Sequence, residues 1–183
     1  MVRKVKGTLF VDYVRMLRGR KDVDWSQRLM PADMAYLSGR IDPDAWYPME
    51  TFERMGLAIL GTIAGGHLSL VAEWGRGQID SLCLAHPHLV AKGDPCETLM
   101  RFQVLRQSFF DYPAVEIREM GGNEATIEVN YCMGAAAEEA ACHQTLGFFE
   151  RLVEMSGGRD VHAEFTDKAW AGELLTTIAL RWT

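Results

Sequence analysis

The sequence lacks most of the patterns by which a chain declares its chemistry. Its four cysteines, Cys83, Cys96, Cys132 and Cys142, contain no CxxC spacing, which argues against a zinc knuckle or redox dithiol and for reduced intracellular thiols. No GxSxG elbow, Walker-type phosphate loop or HExxH helix occurs, so no catalytic residue is expected. No uninterrupted apolar run approaches the ~18 residues that span a bilayer. The opening "MVRKVKGTLFVDYVRML" sets basic residues before an apolar stretch, but Asp12 and Arg15 interrupt it and no small-residue cleavage site follows. Positive charge is also short: 19 Lys and Arg against 25 Asp and Glu leave a net charge of -6, a poor basis for a broad nucleic-acid surface. The expectations are a cytoplasmic protein with no membrane span and no nucleic-acid partner.

What is present suits one soluble domain over residues 1–183. With 48% hydrophobic residues a chain of this length can bury a core without a metal or disulfide staple. Apolar residues at Leu9, Phe10, Tyr13, Val14, Met16 and Leu17 predict a first helix over 7–17. Trp25 to Leu37 reads as one or two short helices, with Pro31 suited to a first helical position. "GRIDPDAWYP" reads as a connector. A longer helix is expected after Pro48, with Phe52, Met55, Ile59 and Leu60 on one side, ending near Gly65-Gly66. His67 to Leu84 looks helical, though Gly75 and Gly77 weaken its middle. Asp94 caps the next helix with Pro95 at its first position, and that helix is expected to run to Phe109.

The period then changes from helical to alternating. "AVEIREM" and "EATIEVNY" alternate apolar and polar residues around the turn "GGNE", a hairpin. The stretch "AACHQTLGFFERLVEMSGG" follows as a helix. Val161, Ala163 and Phe165 then form one alternating set, and Leu174, Ile178, Leu180 and Trp182 another. The fold class is therefore α+β: a helical N-terminal region, about 1–112, packed on an antiparallel four-stranded sheet, about 113–183, in the order strand-strand-helix-strand-strand.

Two clusters could carry chemistry. On a helical wheel Cys142 joins Leu146, Phe149 and Val153 on the apolar face, whereas His143 joins Gly147, Glu150 and Glu154 on the polar face. The pair cannot converge on one metal ion, and His143 is expected to face water or a partner. "CLAHPHL" brings Cys83, His86 and His88 close in sequence, but without paired ligand knuckles it reads as a surface turn. Glu138-Glu139 at the helix start complements the helix dipole. The apolar aromatics and methionines are more suggestive. Trp46, Tyr47, Phe52, Met55, Phe102, Leu105, Tyr131, Cys142 and Phe149 are the candidate ligand-binding residues, lining a boundary between helices and sheet where a small apolar ligand could sit.

"KGTLFVDYVRML", "WYPMETFERMG", "CHQTLGFFERLVEMSGGRDVHAEF" and the final "IALRW" carry a resemblance. Together they resemble a superfamily of haem-nitric-oxide-binding (H-NOX) sensors, vinyl-reductase-type small-molecule-binding domains and Golgi transport-particle subunits. "WYPMETFERMG" is also similar to a bacterial paralogous family of this fold that lacks the haem motif. The H-NOX resemblance implies a haem-ligating histidine on the helix before the first strand, and "DPCETLMRFQVLRQSFF" contains none. It implies a Tyr-x-Ser-x-Arg motif for the porphyrin carboxylates, and the matching place reads Tyr131-Cys132-Met133-Gly134-Ala135. Haem is therefore not expected, nor is the vinyl-reductase-type zinc site, since no cysteine follows Cys142. The resemblance implies a non-enzymatic sensory or regulatory module that binds a small apolar ligand or a regulatory protein partner. The transport-particle resemblance implies, as the alternative, a homodimeric assembly protein, with Gly147 suited to close approach by a second copy. A haem-based gas sensor and a thiol enzyme using Cys132 or Cys142 rank below both.

Overall fold

The computed structural model describes residues 2–183. Among the described residues, five helices precede or join the sheet and a sixth crosses it: α1 (Gly7–Gly19), α2 (Pro31–Ser38), α3 (Met49–Thr62), α4 (Leu68–Ala85), α5 (Pro95–Leu105) and α6 (Ala135–Met155). Two short strands, β1 (Lys4–Lys6) and β2 (Trp46–Pro48), form an antiparallel ribbon. The strands β3 (Val115–Gly121), β4 (Glu124–Val129), β5 (His162–Asp167) and β6 (Thr176–Arg181) form one antiparallel sheet in the order β3-β4-β6-β5. The α+β class and the strand-strand-helix-strand-strand order are as the alternating patterns indicate. The chain divides into two compact units, residues up to 67 with 107–112, and residues 68–106 with 113–183.

The first unit is built on rings. Phe10 of α1 stacks on Tyr47 at 4.4 Å between centroids and meets Tyr36 edge-on at 5.2 Å, while Tyr13 stacks on Phe52 at 4.1 Å. β1 passes into α1 with no intervening loop, and glycine is required at the junction because a Cβ on Gly7 would collide with the Asp42 carbonyl oxygen. Asp33 of α2, fully buried, accepts from Met30 N and from two nitrogens of Arg54. That pairing removes the penalty of an isolated buried carboxylate.

The second unit stacks α6 on the sheet. Ile127, Val129, Ile178 and Leu180 point to the covered face and are fully buried, as are Phe149, Leu152 and Val153 of α6. Cross-strand pairs Val115–Val129 and Ile127–Ile178 fix the register, since a one-residue slip would turn all of them to the other face. The other side of α6 is covered by α4. A Cβ on Gly75 would strike the Gln144 carbonyl oxygen, and one on Gly147 would strike that of Ala72, so two glycines admit each other's helix. Arg76 reaches Glu150 and Glu154 across this contact, and Arg151 reaches Asp80.

Four expectations need correction. The connector before α3 contains β2, and β1 is an unforeseen strand; three residues are too few to show an alternating pattern. The helix expected to reach Phe109 stops at Leu105 and passes through a 3-10 turn, Arg106–Ser108. Beyond it the Phe109 carbonyl accepts from Lys6 N, and Phe110 bridges to Val5, so pairing with β1 draws the chain out of the helix. Leu174 lies outside β6, 94% exposed in the connection from β5. Gly147 approaches α4 of the same chain rather than a second copy.

Candidate functional site

The most polar part of the second unit's interior is the first half of α6. Glu138, Cys142 and Thr145 recur at the spacing of one helical stripe and all three are buried. Glu138 turns back on the loop before its helix: its carboxylate oxygens accept from Tyr131 N at 2.8 Å and Met133 N at 2.9 Å. Cys132 between them holds a left-handed conformation, φ 56°, with its N–H donated to Asn130 Oδ1. The acid is therefore a clamp on the loop, a more specific role than complementing the helix dipole. Leaving two such amides without partners would cost about 1–3 kcal/mol each.

One turn along is Cys142, with the Thr176 side chain beside it, whose hydroxyl oxygen accepts from Ala169 N at 3.1 Å. Burial pushes the Cys142 thiol up to about 12. At neutral pH it is a thiol, without the thiolate a nucleophile needs. Thr145 donates to the Ala141 carbonyl at 2.9 Å, so in its 2.6 Å contact with Tyr131 the phenol is the donor. Tyr131 is thus engaged with α6.

Cys142 and His143 separate as the wheel indicates, but His143 is half-buried rather than bare to water. Its ring meets Phe165 of β5 edge-on at 5.0 Å and lies 6.2 Å from Trp170, which sits in the 3-10 turn Ala169–Ala171. Desolvation depresses the imidazole below its ordinary value, with Glu139 opposing and Lys168 adding to the shift. His86 and His88 are exposed in the loop after α4. Among the described residues no group of three His, Cys, Asp or Glu side chains could hold a metal ion.

The residues singled out as a ligand wall fall into two sets. Trp46, Tyr47, Phe52 and Met55 belong to the first unit: Met55 is fully buried, Tyr47 and Phe52 are in the ring stacks, and Trp46 lies outward under Lys6 Nζ at 5.0 Å. Phe102, Leu105, Tyr131, Cys142 and Phe149 belong to the second. There Phe102 of α5 meets Phe148 and Phe149, each at 5.1 Å. Tyr131 and Cys142 lie among the polar groups of the α6 stripe, and Leu105 is half-buried at the end of α5.

Gln103 is the side chain that local patterns missed. From α5 its Oε1 accepts from Ile117 N of β3 at 2.9 Å and from Arg106 Nε at 3.1 Å, and Arg106 continues to Glu116. It ties helix to strand across fourteen residues, a spacing that neither period reveals.

No protein-family model matches the chain, and no curated protein does. Solved structures match along almost all of it. A mutant of T. tengcongensis H-NOX is 14% identical with a TM-score of 0.66, covering 97% of each chain. An H-NOX protein from S. oneidensis, in the Fe(II)NO ligation state, is 10% identical with a TM-score of 0.67, covering 97% of this chain and 99% of that one. The Fe(II) unliganded H-NOX protein from K. algicida is 12% identical, with a TM-score of 0.62 and coverages of 97% and 96%. The fold is H-NOX-like.

The residues present do not fit a haem held in the way the sequence resemblance implies. α5 bears no histidine, and its Gln103 oxygen is taken by Ile117 N and Arg106. Tyr131 donates to Thr145, Met133 and Ala135 offer no side-chain hydrogen-bond donor to a carboxylate, and the loop amides of Tyr131 and Met133 already hold the carboxylate of Glu138.

Proposed function

We propose that the chain is a non-enzymatic sensory or regulatory module of H-NOX fold that takes a small apolar ligand in place of haem. The carrying observation is the internal use of polar groups on α5, on α6 and in the loop before α6: Gln103 Oε1, the Tyr131 hydroxyl and the Glu138 carboxylate each hydrogen-bond within the chain. A ligand bearing carboxylates finds the Tyr131 hydroxyl and the amides of Tyr131 and Met133 already engaged, whereas an apolar one asks for no donor. Likeness of fold to proteins whose names describe Fe(II) and NO ligation supports a sensing role. The residues proposed for contact in the second unit are Phe102, Leu105, Tyr131, Cys142 and Phe149. Trp46, Tyr47, Phe52 and Met55 are a separate set in the first. The setting is the cytoplasm, and signalling is the proposed context. Native mass spectrometry of the purified chain tests this. A retained small molecule, lost on denaturation and reduced in Phe102→Ala, is the expected result; a chain that carries nothing and takes up no apolar probe contradicts it.

A second reading, self-association, has its own observation. Leu70, Trp74, Gly77, Ser81 and Leu84 follow alternating steps of four and three along α4, the seam of a helix that packs on another helix. Leu70 is 39% and Leu84 84% exposed, and nothing lies within 4 Å of a Cβ built on Gly77. Gly75 is explained within the chain, and Gly77 is not. Light scattering is expected to show dimers that Leu84→Glu dissolves; a strict monomer at high concentration removes this reading.

A further inference from the structure

The connection between β5 and β6, residues 168–175, is held to the body of the second unit at two places. Ala169 N donates to Thr176 Oγ1 at 3.1 Å. Trp170 meets Phe165 edge-on at 5.0 Å and His143 at 6.2 Å, and His143 in turn meets Phe165 at 5.0 Å, so three rings from α6, β5 and the connection close on one another. The rest of the connection is local. Ala171 N and Glu173 N both return to the Lys168 carbonyl, Gly172 holds φ 109°, and Leu174 is bare to solvent. One of the three rings is the only kind of side chain whose unperturbed charge changes between about pH 5 and 8.

We propose that His143 is a pH-sensitive latch on this connection: neutral, it seats Trp170 and Phe165; protonated, it leaves that seat and the connection opens. A neutral imidazole packs edge-on against aromatic rings as an apolar body with a polar tip. An imidazolium must keep its charge hydrated, which the half-buried seat restricts. The charged groups that act on the ring are Glu139 on its own helix and Lys168 at the head of the connection, one of each sign. On β5, Glu164 is paired with Arg181, and on α4, Arg76 is held by Glu150 and Glu154. Of these carboxylates, Glu139 is the one that opposes the depression of the ring.

Burial depresses the imidazole in the closed form. The open form binds the proton more readily, so the closed form is fully stable above the ordinary histidine value and loses ground as pH falls below it. The population of the open form rises by up to about tenfold for each unit by which burial lowers the group.

Hydrogen exchange of the 166–176 amides, corrected for the intrinsic pH dependence, read with acrylamide quenching of Trp170, tests the latch between about pH 5 and 8. The wild-type chain is expected to exchange faster and quench more on the acid side. His143→Phe keeps a ring in the seat and is expected to flatten both responses, while His162→Gln, on the exposed face of β5, leaves them intact. Acid opening that persists unchanged in His143→Phe, or that is absent from the wild type, overturns the proposal. Should His143→Phe fail to fold, the ring resonances of His143 and Trp170 in the wild-type chain decide: they titrate together below the ordinary histidine value, and independent titration overturns it.

Discussion

Cys142 and Glu138 are one turn apart on the same buried stripe and make opposite uses of burial. For the thiol, desolvation dominates and raises it to about 12, so alkylation by a mild reagent at neutral pH is expected to label exposed Cys132 and spare Cys142 until the chain unfolds. Peptide mapping by mass spectrometry reads this directly; early labelling of Cys142 would restore the thiol-enzyme idea. For the acid, two loop amides supply the compensation. Glu138→Ala is expected to destabilise the fold by about 2–4 kcal/mol, seen as a lower denaturant midpoint, with Glu138→Gln losing less because its amide oxygen still accepts. Wheel geometry alone places Cys142 inside, because burial on a helix follows its period. It is silent on Tyr131 and Ile117, since the bonds to Thr145 and Gln103 join residues far apart in sequence. The polar half of the candidate site is illegible for that reason.

At the scale of elements, α4 and α6 carry the contrast between a glycine that packing demands and one that it does not. Gly147→Ala would drive a methyl into the Ala72 carbonyl, and we expect a loss of about 2 kcal/mol or more as the helices part. Gly77→Ala meets open space, so the helix gains about 1 kcal/mol of propensity, measured as a rise in thermal midpoint. A loss at Gly77 would place a second helix there. Both residues look alike in the sequence, and only the position of the other helix tells them apart. Long periodic elements such as α3, α4 and the β3–β4 hairpin are legible because each repeats its pattern several times. β1, β2 and the early end of α5 are not, because the pairing of β1 with β2 and with Phe109 and Phe110, far along the chain, decides them.

For the whole molecule, the likeness to H-NOX structures extends over 97% of the chain at 10–16% identity, so the same architecture is built here with little sequence in common. Glycines at close approaches and the buried faces of α6 and the sheet are what such an architecture constrains; the residues that would grip a cofactor are free to change. Here Gln103, Tyr131 and Glu138 make bonds within the chain, and no helix among the described residues is long and apolar enough to cross a membrane. An equimolar haemin titration of the purified chain, followed by desalting and an absorption spectrum, tests that internal use most directly. The spectrum of protein alone is expected after desalting, while a retained Soret band with stoichiometric iron would contradict the exclusion of haem.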